Sequence, residues 1–173
     1  MNVVIRHIQI YTVVVADMKL DGIKNMLYVA SSWRNMFFDS IVERLTEEDI
    51  DHYNFKKPAP NNNGFHWSEI DREWEHWTPE QYCEALTHPL AKVGFKYDMT
   101  ALRKCSRLLL VLPCGASAHL ELGHAIGAGK TVLIYFPADI MPPQRMMPEL
   151  MYMAADFICL SMDEVLSALE SSY

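Results

Sequence analysis

Residues 107–130 read RLLLVLPCGASAHLELGHAIGAGK, and this stretch constrains the fold more than any other. An apolar run from Arg107 to Pro113 ends at Gly115 and Ser117, and helical spacing follows, with Leu120, Gly123, Ala125, Ile126 and Gly127 as its small or apolar positions. The pattern is a strand, a tight turn and a helix. In an open parallel sheet, ligands bind at the carboxyl ends of strands, where helix N-termini offer free backbone N–H groups and the positive end of a dipole. Glu121 is expected in the first turn of this helix, facing that crevice. Leu120 is expected to be buried, which keeps His119 and Glu121 off its face, and the glycines at 123, 127 and 129 make the helix slim enough for close approach. The plain alternative for Glu121 is an acid that complements the helix dipole.

Elsewhere strands alternate with helices. Residues 26–30, 51–55, 107–112, 131–136 and 157–160 read as strands. Residues 37–45, with Phe37, Phe38, Ile41, Val42 and Leu45 inward, read as a helix. So do 79–86 behind a Thr78 cap and Pro79, a segment within 90–104, the stretch from Ser117, a short piece around 148–154, and 163–169. A loop covers 137–143. The expected architecture is α/β: a doubly wound, mainly parallel five-stranded sheet with helices on both faces. At 173 residues the chain suits one compact domain, placed at 26–173 with an aromatic-rich insertion at 56–78. Residues 1–25 are expected to form a leader or an extra edge strand. Their apolar run, Ile8 to Ala16, is far shorter than the roughly 20 residues a membrane-spanning helix needs, and no A-x-A site follows it.

The formal charge of −7 and the pI near 5.4 argue against a nucleic-acid surface, which requires clustered Lys and Arg. Cys83, Cys105, Cys114 and Cys159 form no C-x-x-C pair, so reduced thiols in a cytoplasmic setting are expected, with no structural zinc.

Three further stretches carry chemistry. At the exit of the first strand, Ser31, Ser32, Trp33 and Arg34 bring two hydroxyls and a guanidinium to a helix N-terminus, which suits a phosphate; the alternative is helix capping by Ser32 or Asn35 with Arg34 in solvent. The insertion GFHWSEIDREWEHW places Trp67, Ile70, Trp74 and Trp77 at helical spacing, as a short amphipathic helix covering the sheet edge would. Its Phe65 or Trp67 could instead stack a flat heterocycle. His66 and the neighbouring carboxylates lack the spacing of a metal site. Asp98 fits an N-cap for a helix starting at Met99, or a group that hydrogen-bonds a sugar or protonates a leaving group. Cys114, at the strand-to-helix turn, is a rival nucleophile, although sequence alone places no oriented histidine beside it.

The strings GASAHLELGHAIGAGK, YVASSWRN and KYDMTALRKCSRLLLVLP together resemble the nucleoside 2-deoxyribosyltransferase superfamily, which includes 5′-monophosphate N-glycosidases, over roughly residues 26–170. The resemblance implies that Glu121 is the nucleophile attacking an anomeric carbon and that Asp98 assists it. It implies that Ser32 and Arg34 match the pattern of members acting on 5′-monophosphates, and that no metal or cofactor is needed. Ser31, Ser32, Trp33, Arg34, Gly115, Ser117, His119, Trp67 and Met151 are then the expected substrate-binding residues. The segment PPQRMMPELMYMAAD, rich in methionine, corresponds to one that reaches a neighbouring subunit's site in the family, so a homodimer or larger homo-oligomer is implied. The expected partner is a nucleoside or nucleotide. A module that binds such a ligand without turning it over is the alternative.

Overall fold

Leu27, Tyr28, Val29 and Ala30 have no exposed surface at all, as a strand covered on both faces requires. They form β1 (Leu27–Ala30) in a computed structural model that describes residues 26–138 and 149–171. The leader or extra strand expected at 1–25, and all but the start of the loop expected at 137–143, lie outside the described residues. The chain continues through α1 (Phe38–Glu47), β2 (His52–Asn54), α2 (Pro79–Ala85), α3 (Pro89–Lys104), β3 (Arg107–Val111), α4 (Ala116–Gly127), β4 (Thr131–Tyr135), β5 (Phe157–Cys159) and α5 (Met162–Ser171). The strands pair in the order β2-β1-β3-β4-β5, every neighbour parallel, which is the flavodoxin-like doubly wound order.

Strand periodicity sorts the core into two layers. Leu27, Val29, Leu109, Val111, Leu133 and Tyr135 pack against Phe38, Ile41 and Leu45 of α1 and Val165, Ala168 and Leu169 of α5. Tyr28, Ala30, Leu108, Leu110, Val132 and Ile134 pack against Ala101 and Leu102 of α3 and Ala118, Leu122 and Ala125 of α4. The spacing of the buried residues of α1 is the three-to-four step that the sequence shows. Thr78 caps α2 as expected: its side chain accepts from the Gln81 N–H, and Pro79 takes the first helical position. Among the described residues, no helix is long and apolar enough to cross a membrane.

Three helices differ from expectation. The helix sought within 90–104 runs unbroken from Pro89, where the His88 ring accepts the Leu90 N–H, so Asp98 sits in its interior and caps nothing. The insertion is not an amphipathic helix. It folds as two separate 3-10 turns, Trp67–Glu69 and Trp74–His76. The Asp71 carboxylate accepts from the Glu73 N–H and from Trp77 Nε1, a local side-chain bond that draws the backbone out of helical pairing. The piece around 148–154 is likewise a 3-10 turn, Leu150–Ala154.

Candidate functional site

After β1 the chain crosses to the α1/α5 face, and after β3 it crosses to the α3/α4 face, so a crevice opens between the carboxyl ends of these adjacent strands. Polar side chains stitch its floor. Ser31 Oγ donates to the Val111 carbonyl at 2.9 Å, and Asn35 Nδ2 donates to Ser31 Oγ at 3.0 Å. Asn35, almost wholly buried, also accepts the Phe37 N–H ahead of α1. Ser32 Oγ accepts the Arg34 N–H. The hydroxyls therefore shape the turn without capping α1, whose N-cap is Phe37 with no side-chain cap, and the guanidinium remains outside it. Arg34 Nη2 meets Glu75 Oε1 of the 56–78 segment at 3.2 Å, both side chains being exposed. The Trp33 ring lies 5.4 Å from Phe55 and 4.4 Å from His66. Gly64 permits this: it has φ +76°, and a Cβ there would meet the Phe55 carbonyl oxygen at 2.5 Å and the Trp33 ring at 2.8 Å.

The two carboxylates lie deeper, between the sheet and the α3/α4 layer. Glu121 is in the second turn of α4, not the first, so it does not complement the free N–H groups at the helix start. Leu120 is 75% exposed, whereas Leu122 is buried, which reverses the face expected from the sequence. Gly123 and Gly127 adjoin open space, with no other described residue of the chain close to them.

Glu121 faces Tyr28 of β1, and Asp98 accepts a 2.8 Å hydrogen bond from the Tyr53 hydroxyl of β2. The two tyrosine rings stack at 5.2 Å and 22°, so adjacent strands present adjacent hydroxyls to the two carboxylates. Burial pushes Glu121 up to about 8, the charge of Asp98 adds to the rise, and the Tyr28 hydroxyl offsets part of it. Asp98 is also raised by burial, against the opposing pull of the Tyr53 hydrogen bond. The buried Tyr28 hydroxyl is directed at Glu121, the acceptor for its proton. Tyr28 and Tyr53 escaped the sequence reading. The signal for Tyr28 was a hydroxyl-bearing ring in an otherwise aliphatic buried strand, where the O–H must find a use, whereas Tyr53 sits between His52 and Asn54 and gave none.

His119 bridges two elements. With the proton on Nδ1 it donates to the Gly115 carbonyl at 2.9 Å and accepts the Tyr152 hydroxyl on Nε2 at 2.8 Å. Cys114 Sγ lies 3.6 Å from the same Nδ1, a Cys–His approach that the sequence reading did not foresee. It does not make a thiolate: burial and the Glu121 charge push Cys114 up to about 12. Gly115 precedes the first turn of α4, and Ser117 is exposed within it. Met151, with Leu150 and Met153, is exposed on the turn after the fourth strand.

Trp67 is held edge-to-face by Phe65, Trp77 and Tyr82, which packs the 56–78 segment on α2. Phe65 is better placed, since with Phe55, Tyr97 and Asp98 it lines a cavity of about 140 Å³ between this segment and α3. Gly94 allows its approach: a Cβ there would lie 2.6 Å from Phe65 Cβ. Among the described residues, no three His, Cys, Asp or Glu side chains gather as a metal-ligand set.

No protein-family model and no curated relative matches the sequence. Among solved structures, the chain is similar to a 2-deoxyribosyltransferase from Bacillus psychrosaccharolyticus, with a TM-score of 0.50 and 14% identity over 83% of this chain and 95% of that one. A CMP N-glycosidase from Clostridium botulinum aligns at a TM-score of 0.44 and 13% identity, over 84% and 98% of the two chains. The first likeness is one of fold: a parallel five-stranded α/β sheet.

Proposed function

We propose that this chain is an enzyme that cleaves the N-glycosidic bond of a (deoxy)nucleoside 5′-monophosphate or nucleoside, with Glu121 as nucleophile and water or a second base as acceptor. The observation that carries this reading is the pair of half-buried carboxylates, Glu121 and Asp98, each facing one of two stacked tyrosines and neither shifted by any cation. Burying two uncompensated acids opposes folding, so their presence is better explained by chemistry than by stability. The sequence resemblance at GASAHLELGHAIGAGK and the fold shared with a deoxyribosyltransferase support the same reading. A module that only binds a phosphorylated ligand gains nothing from this pair.

In the proposed reaction a Glu121 oxygen bonds to C1′ as the C1′–N bond breaks, and the bond's electron pair leaves with the base, which takes the Asp98 proton. Water then attacks C1′ of the glycosyl ester, returns a proton to Asp98 and frees Glu121. The pair must therefore hold its proton on Asp98 when the sugar is bound, while the free site favours a protonated Glu121. Positive charge growing at C1′ draws Glu121 to its ionised form. Tyr28 orients the Glu121 carboxylate through its hydroxyl, and Tyr53 orients Asp98. The test is incubation with a panel of (deoxy)nucleosides and their 5′-monophosphates, with free base followed by chromatography; no base from any member contradicts the reading.

Arg34 is assigned to the 5′-phosphate. A charge-assisted contact of this kind contributes roughly 1.5 to 3 kcal/mol. Arg34→Ala should therefore lower kcat/KM for the monophosphate by about 10- to 150-fold, toward the lower end because the guanidinium is exposed, and leave the nucleoside nearly unchanged. Equal slowing of both substrates makes Arg34 structural. Leu150, Met151 and Met153 are assigned to an interface with a second copy of the chain, since exposed apolar clusters mark such surfaces. Light scattering at micromolar concentration should give a dimer or larger species, and a monomeric mass with full activity removes the assignment.

A further inference from the structure

The 56–78 segment does more than pack against α2. Its stretch GFHWSEIDREWEHW carries Glu69, Asp71, Glu73 and Glu75 against a single Arg72, and it folds back over the carboxyl end of β1. Asp71 fixes the turn that bears Glu75, through the Glu73 N–H and Trp77 Nε1, and Trp77 is held in turn by Trp67. Trp33, next to Arg34, is gripped by His66 and by the close approach that Gly64 allows. Two rigid anchors thus bring Glu75 to Arg34 across 41 residues of sequence. The contact is a single N–O approach of 3.2 Å between exposed side chains. A pair of this kind adds little to stability. It does occupy one edge of the guanidinium with an anion, and a phosphate, with greater charge and more acceptor oxygens, can replace a lone carboxylate oxygen there.

We propose that Glu75 is the resident counter-ion of Arg34: the 56–78 segment competes with phosphorylated ligands for the guanidinium, and a 5′-phosphoryl group must displace it. This rests on the assignment of Arg34 to the phosphate. Glu75 then lowers affinity for the phosphorylated ligand relative to its unphosphorylated counterpart, and phosphate binding releases one tie between the segment and the crevice.

The test uses deoxyribose 5-phosphate and deoxyribose as probes, titrated against the full chain and read by tryptophan fluorescence, since Trp33 adjoins the pair. Glu75→Gln should tighten the sugar phosphate by about two- to fivefold, the range of one exposed ion pair, and leave the sugar unchanged. Arg34→Ala should weaken the sugar phosphate by about tenfold or more, and the double variant should lose the gain given by Glu75→Gln. If Arg34→Ala weakens binding but Glu75→Gln leaves it unchanged or weaker, the counter-ion role is wrong and the phosphate assignment stands. If Arg34→Ala has no effect, or no form of the protein binds the sugar phosphate saturably, both fall.

Discussion

Glu121→Gln should abolish base release, by about a thousandfold or more as for other covalent nucleophiles, and should make the protein more stable at alkaline pH. The second effect follows from the direction of its titration. Glu121 is raised from 4.5 to about 8 in the folded chain, so the folded state binds its proton more tightly than the unfolded one does. That contribution is fully present below about pH 4.5 and is lost as the pH rises through about 8. Glutamine carries no charge to bury. Thermal unfolding of the two proteins should nearly coincide at pH 4, while at pH 9 the variant should melt several degrees higher, because each tenfold difference in proton affinity between the folded and unfolded chains corresponds to about 1.4 kcal/mol. A variant that keeps its turnover removes Glu121 as nucleophile and returns attention to Cys114. One that melts alike at both pH values shows that Glu121 is not buried in its charged form.

The second large effect belongs to Asp98. As proton donor to the leaving base it should contribute about 10²- to 10⁴-fold, and Asp98→Asn should lower kcat/KM accordingly. Its loss also removes a negative charge that holds Glu121 up. Because the reaction needs one proton on the pair, held on Asp98, the rate of the wild type should fall as the pH rises through about 8, and in the variant, where Glu121 alone titrates, that alkaline limb should be lost. A pH–rate profile from about 5 to 9 reads both. A lowered rate with an unmoved limb separates the two carboxylates and leaves Asp98 as a sugar-binding group.

The strand-turn-helix at 107–127 was legible in the sequence because a buried parallel strand is a continuous apolar run and Gly115 punctuates it. The other strands and the parallel sheet followed from the same logic. Boundaries inside polar stretches did not. Asp98 resembles a cap when read locally, yet Pro89 starts the helix nine residues earlier and nothing breaks it before Lys104. Trp67, Ile70, Trp74 and Trp77 keep helical spacing, but the Asp71 side chain competes for the backbone between them. Leu120 looked like core by type and is exposed, because the inward side of α4 is set by Ala118, Leu122 and Ala125.

Within the site, Glu121 and Asp98 were legible as residue types, whereas their partners were not. Tyr28 and Tyr53 read as ordinary strand residues until the sheet order places β1 beside β2. The meetings of Arg34 with Glu75 and of His119 with Tyr152 join residues 41 and 33 positions apart. No local pattern announces either one.

The proposed reaction passes through a covalent bond between Glu121 and C1′. Wild-type protein mixed with a substrate found in the base-release panel, quenched in acid during turnover and digested, should show by mass spectrometry the mass of the sugar or sugar phosphate on the peptide containing Glu121. The adduct should be absent from Glu121→Gln. Base release without an adduct and undiminished in that variant, or an adduct on Cys114, contradicts the account.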